Sequence, residues 1–210
     1  MKLRVLKLAI FLAALIPLAR LGLKALHGDL GANPIELITH TTGDSTLVLL
    51  LATLAVTPLR MLTKQYWLIG VRRMVGLFAF FYACLHFTTY IWLDKFFDLH
   101  EMWADILKRK FITVGFLAFV LLIPLAVTST AGWIRRLGGT RWQRLHRLIY
   151  ISAIAGVVHY AWLVKADLRR PIEYGVILSI LLGYRVWMKA KSAAPSTVRD
   201  SSQLPAISSQ

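Results

Sequence analysis

The chain has 210 residues, 57% of them hydrophobic, with 25 Lys and Arg against 10 Asp and Glu and a formal net charge of +15. A mean hydropathy of +0.61 excludes an ordinary soluble domain built on one core and describes an integral membrane protein. The single cysteine, Cys84, excludes an intrachain disulfide and a cysteine-ligated cluster.

A membrane-spanning helix needs roughly 20 predominantly apolar residues. Six windows approach that length: Val5–Leu26, Thr46–Leu62, Val71–Leu93, Phe111–Thr130, Leu145–Val164 and Ile172–Met188. The first has a long apolar stretch, no small-residue cleavage site, and Arg20 and Lys24 near its end, so it reads as a retained helix rather than a signal peptide. The connector HGDLGANPIELITHTTGD carries turn signals and should cross the outer surface, with a short helix over PIELITH. In the next outer connector Trp92, Phe96, Leu99, Trp103 and Ile106 recur at helical spacing. That pattern predicts an amphipathic helix, lying on the outer membrane surface or serving as a docking surface for a soluble partner. TAGWIRRLGGTRWQRLHR, before the fifth window, carries five arginines and two tryptophans. It suits an interface anchor on the cytoplasmic side, or a phosphate site, since guanidinium forks match phosphate oxygens. The Ser-, Pro- and Ala-rich segment 193–210 has the composition of a disordered cytoplasmic tail, which leaves 1–192 as the membrane domain.

The charge gives an orientation. With both termini in the cytoplasm, the inside segments hold sixteen of the 25 basic residues and the outside segments nine of the ten acids. Basic residues concentrated in cytoplasmic loops are the expected pattern, so the charge is a topology signal rather than a nucleic-acid footprint. The fold expectation is an all-α polytopic bundle of six transmembrane helices with cytoplasmic termini. No dinucleotide fingerprint, phosphate-binding loop, Cys-x-x-Cys or His-Glu-x-x-His motif occurs.

Three histidines lie inside or at the edge of these windows: His86, His146 and His159. An ionisable side chain in hydrocarbon is costly and usually marks a site. His86 is thirteen residues beyond Arg73, about 20 Å along a helix axis, and His159 is twelve beyond Arg147, about 18 Å. Both helices run outward, so the two share a depth toward the outer leaflet. Imidazole is the usual protein ligand of heme iron, and Ala79, Ala83 and Gly156 allow a flat macrocycle to approach. A heme between the third and fifth helices fits this pattern; the alternative is a pair of hydrogen-bonded core histidines. His146 lies at the cytoplasmic end of the fifth helix, about 140° around the axis from His159. At its depth the third helix offers Arg72 and Arg73, so an inner heme would need another axial ligand or water. His27, His40 and His100 fall in outer connectors as surface residues.

The strings LATLAVTPLR, VRRMVGLFAFFYACLH and GGTRWQRLHRLIYISAIAGVVHY, in that order, resemble the ferric-reductase-like transmembrane superfamily. Within it, the chain is similar to the heme-binding membrane subunits of bacterial periplasmic methionine sulfoxide reductase systems, over about Ile16–Lys189. The resemblance implies heme b and FMN in a multi-pass protein of the bacterial inner membrane. It implies electrons drawn from the quinone pool and passed to a periplasmic molybdopterin subunit that reduces methionine sulfoxide in oxidised proteins. Carried over by residue, it assigns heme iron to His86, His146 and His159. The superfamily has two histidines on the third helix and this chain has one, which leaves the inner half of the bundle free for flavin. Arg72, Arg73, Arg141 and Arg144 cluster where the flavin phosphate would sit. Arg20, near the outer end of the first helix, runs against the inside bias and should snorkel or pair with a heme propionate. No side chain is expected to make or break substrate bonds; the role is one-electron transfer. Two alternatives are a direct ferric or cupric reductase and a small proton-coupled transporter. The first usually needs a nicotinamide–flavin domain, for which 210 residues leave no room. The second tends to show helices broken by Gly or Pro in matched halves, which are not evident.

Overall fold

A computed structural model of the protein describes residues 2–164 and 167–193. The expected tail, from 194 onward, lies outside the described residues. Among them there is no strand, and the chain runs through α1 (Lys2–Leu26), α2 (Pro34–Thr63), α3 (Ile69–Thr89), α4 (Leu99–Lys108), α5 (Lys110–Val127), α6 (Ala131–Leu137), α7 (Gly139–Leu145), α8 (Leu148–Leu163) and α9 (Arg169–Ala193). Four stretches are long and apolar enough to cross a membrane: Leu3–Leu26, Pro34–Thr63, Tyr66–Asp94 and Lys110–Val127. The other two expected spans differ in kind. α8 has only 16 residues, and Glu173, Arg185 and Lys189 interrupt the apolar run of α9.

Of the expected outer connector before residue 46, residues 27–33 are loop and the rest is helix. Pro34 opens α2 and Asn33 caps it, its side-chain oxygen accepting from the Glu36 amide at 3.3 Å. Helix then continues unbroken to Thr63, because Thr42, Ser45 and Thr46 return their hydroxyl protons to the carbonyls of Ile38, Thr41 and Thr42 and ask for no water. PIELITH is therefore the beginning of α2, not a separate helix.

The bundle centre is built by Leu47, Leu50, Leu51 and Leu54 of α2, Ala79 and Ala83 of α3, Leu122 and Leu125 of α5, and Ile149 and Ala153 of α8. Lipid tails are as apolar as leucine, so such helices associate through close packing and interhelical hydrogen bonds. The alanines allow the first, and Ser152 of α8, donating to the Ala118 carbonyl of α5 at 2.9 Å, supplies the second.

Pro17 has no N–H to give, so α1 loses one rung of its own ladder. Tyr82 of α3, fully buried, docks at the next rung, between the two groups of the Leu18–Ala14 step: its hydroxyl donates to the Ala14 carbonyl at 2.7 Å and accepts from the Leu18 amide at 3.3 Å. This clasp holds the middle of α1 against α3. Tyr82→Phe is expected to cost about 1–3 kcal/mol by leaving the Ala14 carbonyl without that partner, read as a lower unfolding temperature in detergent with the cofactor site spectroscopically unchanged.

Beyond α3 the chain widens into a π turn over Tyr90–Asp94. Lys95, only 6% exposed, then reaches Glu101 and Asp105 at 2.6 Å each, and Arg109 braces Asp105 at 3.4 Å. That ion cluster sets the rotation of α4. Met102, Asp105 and Ile106 face the bundle, whereas Leu99 and Trp103 stay exposed. The stripe expected to form one face is thus divided, and Ile106 is its inward member.

Candidate cofactor site

His86 on α3 and His159 on α8 face each other, their ring centres 6.2 Å apart and their planes crossed at 79°. Each ring is fixed from behind. His86 Nδ1 donates to the Thr39 carbonyl at 3.0 Å, with the Thr42 hydroxyl at 3.4 Å, and His159 Nδ1 donates to the Phe111 carbonyl at 2.7 Å. A carbonyl only accepts, so both rings carry their proton on Nδ1 and present Nε2 with its lone pair free. Metal-bound histidines are oriented by this same contact.

The spacing can be tested against a heme. Two imidazoles on opposite sides of one metal, at about 2 Å per bond, place their ring centres about 6 Å apart. The observed 6.2 Å meets that requirement. A bare tetrahedral ion would want four donors, and among the described residues no group of three His, Cys, Asp or Glu could hold one. An axial pair for a macrocyclic iron needs only two.

Two glycines make room for the rings. A Cβ on Gly43 of α2 would stand 3.1 Å from His86 Cε1, and one on Gly115 of α5 would stand 2.6 Å from His159 Nδ1. The site is therefore a four-helix cage: α3 and α8 supply the imidazoles, and α2 and α5 supply backs without side chains. Gly43, Gly115, Thr39 and Phe111 were not singled out from the sequence. The available signal was Gly115 within the Phe111–Thr130 window, where glycine otherwise weakens a helix; Gly43, in the connector before Thr46, gave none.

His146 is elsewhere. It closes α7, its ring stacked 3.9 Å from Trp142. Thr128 gives its hydroxyl proton to the Pro124 carbonyl at 2.6 Å and so accepts from His146 Nε2 at 3.1 Å. Nδ1 is then the free lone pair of His146, the reverse of the outer pair. Arg72 lies close enough to His146 to act on its charge and sits among Arg60, Arg185 and Tyr150. Arg185 of α9 donates to the Tyr150 hydroxyl at 2.8 Å and the Leu54 carbonyl at 2.6 Å. No Asp or Glu occurs between residues 45 and 93 or 106 and 166, so α3, α5, α7 and α8 carry no carboxylate, and those of α2 and α9 (Glu36, Asp44 and Glu173) lie at least twelve residues along the helix from Arg60 and Arg185. Arg141 and Arg144 lie exposed on α7, and Arg73 turns away from this cluster toward α1. Arg20 is exposed on α1 and forms no ion pair among the described residues. His40, the expected surface histidine, is on α2 beside Glu36 at 3.7 Å.

The family described as "Ferric reductase like transmembrane component" matches residues 42–157, a span that holds His86 and His146 and ends two residues before His159. The chain is similar to three curated proteins described as "Protein-methionine-sulfoxide reductase heme-binding subunit MsrQ". It is 58% identical to that of Herminiimonas arsenicoxydans, over 90% of this chain and 88% of the relative. For Rhodospirillum rubrum the figures are 54%, 86% and 86%, and for Ralstonia nicotianae 49%, 93% and 91%. No solved structure matches. The matched span exceeds half the chain and the relatives are aligned over nearly their whole length, so this multi-pass membrane protein belongs to the ferric-reductase-like transmembrane family and, within it, to the MsrQ group.

Proposed function

We propose that the chain is the heme-binding membrane subunit of a periplasmic methionine sulfoxide reductase system. It would take electrons from the quinone pool of the bacterial inner membrane and pass them to a soluble molybdopterin-dependent partner that repairs oxidised periplasmic proteins. The single observation that carries this reading is the His86–His159 pair, spaced at 6.2 Å with both Nδ1 protons committed to backbone carbonyls. Heme b, held by those two residues, supplies reversible one-electron exchange. The protein's own residues do the rest. Thr39 and Phe111 fix the tautomers, Gly43 and Gly115 fix ring position, and the apolar helices exclude water around the iron.

The proposed topology keeps six spans with cytoplasmic termini, α8 and α9 completing the four longer ones; the basic inner segments support it. FMN is proposed at the inner end, its phosphate toward Arg72, Arg141 and Arg144, supported by the absence of acids on α3, α7 and α8. His146, with Nδ1 free, is proposed as an inner ligand, to a second iron or to the flavin. Pairing of Arg20 with a propionate is supported only by its place toward the outer end of α1.

The test is a purified preparation read by visible spectroscopy and by flavin content after acid release. The expected result is a Soret band that sharpens on adding a reduced quinone analogue, with FMN lowered severalfold in Arg72→Gln. A protein that stays colourless after heme supplementation would remove the electron-transfer reading. Unchanged FMN in Arg72→Gln, Arg141→Gln and Arg144→Gln would return those residues to a topology role.

A further inference from the structure

The clasp between Tyr82 and α1 has a consequence at the basic end of the bundle. It ties α1 to α3 at Ala14 and Leu18, and nearer the start of α1 the Leu3 and Lys7 side chains lie over Gly70 of α3. Between the two helices lies a groove of about 540 Å³. At its basic end stand Lys7 of α1 and Arg73 of α3, both exposed. Gly70 lines the groove there, and the Lys7 stem passes over it beside Leu3: a Cβ built on Gly70 would stand 3.8 Å from Lys7 Cε and 3.7 Å from Leu3 Cδ2. Toward the membrane interior the walls are aromatic. Phe11 packs edge-on to Phe78 at 5.2 Å, and Phe78 to Phe81 at 6.4 Å.

The two ends of this groove want different things. Neither Lys7 nor Arg73 has an ion-pair partner among the described residues, and no acid occurs in residues 1–28 or 45–93, the stretches that contain α1 and α3. The cations therefore call for an anion from outside the chain. From Arg73 to Phe81 is eight residues, about 12 Å of helix, faced with rings that suit a hydrocarbon chain. We propose that this groove binds an anionic phospholipid, its phosphate between Lys7 and Arg73 and one acyl chain along Phe11, Phe78 and Phe81. Basic pockets between transmembrane helices at the cytoplasmic side are a recurring way to hold acidic headgroups. A soluble phosphate would leave the aromatic wall unused, and a zwitterionic lipid would bring its own ammonium next to two cations. The inference does not depend on the heme, since neither Arg72 nor any of the three histidines lines the groove.

Native mass spectrometry of the full chain in detergent, titrated separately with dioleoylphosphatidylglycerol and dioleoylphosphatidylcholine, tests it. The wild-type protein should bind one phosphatidylglycerol about thirtyfold more tightly than phosphatidylcholine, since each of the two basic side chains near the headgroup contributes about 1 kcal/mol. Lys7→Gln with Arg73→Gln should make the two lipids equal while Soret absorbance and FMN content hold. Gly70→Trp, which fills the groove at that position and keeps both cations, should also lower phosphatidylglycerol occupancy. A wild-type protein with no preference would overturn the proposal whatever the variants do. So would a double variant that keeps the preference, one that loses FMN but not lipid, or displacement of the lipid by inorganic phosphate.

Discussion

His86→Ala and His159→Ala are each expected to abolish the low-spin heme spectrum of the purified protein, reducing bound heme severalfold or leaving a high-spin remainder. The geometry makes the two substitutions equivalent. The rings are 6.2 Å apart and each is anchored through Nδ1 to one backbone carbonyl, so each loses the same kind of contact on substitution. Removing one imidazole leaves iron with an open axial position. A purely structural role makes a different prediction: alanine would then lower stability without changing the spin state of whatever heme remains. Adding free imidazole separates the two, because it should restore the low-spin spectrum in a cavity that has lost only its ligand. A variant of either histidine with a wild-type reduced spectrum would show that the pairing is wrong.

Gly115→Ala is expected to damage the site almost as much as loss of a ligand, although the added group is one methyl. Its Cβ would lie 2.6 Å from His159 Nδ1, 2.8 Å from Cε1 and 2.9 Å from Cγ. The ring cannot simply turn aside, because Nδ1 is held by Phe111 at 2.7 Å. Either that hydrogen bond breaks or α5 and α8 separate, and overpacking of this kind typically costs about 1–3 kcal/mol. The spectrum should move toward a mixed or high-spin form with less heme retained. Gly43→Ala gives the internal scale. Its Cβ would meet His86 at 3.1–3.2 Å, a displacement of a few tenths of an ångström, so its heme should stay low-spin with a small shift in potential. Equal effects of the two alanines would mean that the cage does not set ring position as described.

The reach of the sequence can be judged from these same residues. The depth argument, counting from Arg73 and Arg147, brought His86 and His159 to one level, and the rings do face each other. It worked because helix rise is fixed and basic residues mark where the segments begin. The backs of the cage were not legible. Thr39 and Gly43 lie in a stretch rich in Thr, Asn, Gly and Asp, which reads as a loop until Thr42, Ser45 and Thr46 turn their hydroxyls onto their own helix. Periodicity carries no such information. α4 misled in another way: its apolar spacing is real, but the buried Lys95–Asp105 pair decides which face turns inward. An ion pair between residues ten apart, across a turn in which Phe96 and Phe97 adopt left-handed φ of 47° and 62°, leaves no periodic trace. Tyr82 was likewise only one apolar residue among many, and its partners are backbone groups of Ala14 and Leu18 on another helix, beside Pro17.

The central claim is that one heme is held between α3 and α8 by His86 and His159 with crossed imidazole planes. Low-temperature electron paramagnetic resonance of the oxidised, purified protein tests it most directly. Planes near 79° predict a strongly anisotropic low-spin ferric signal that disappears in both His86→Ala and His159→Ala. A high-spin signal in the unaltered protein, or the narrower rhombic signal of parallel imidazoles, would contradict it.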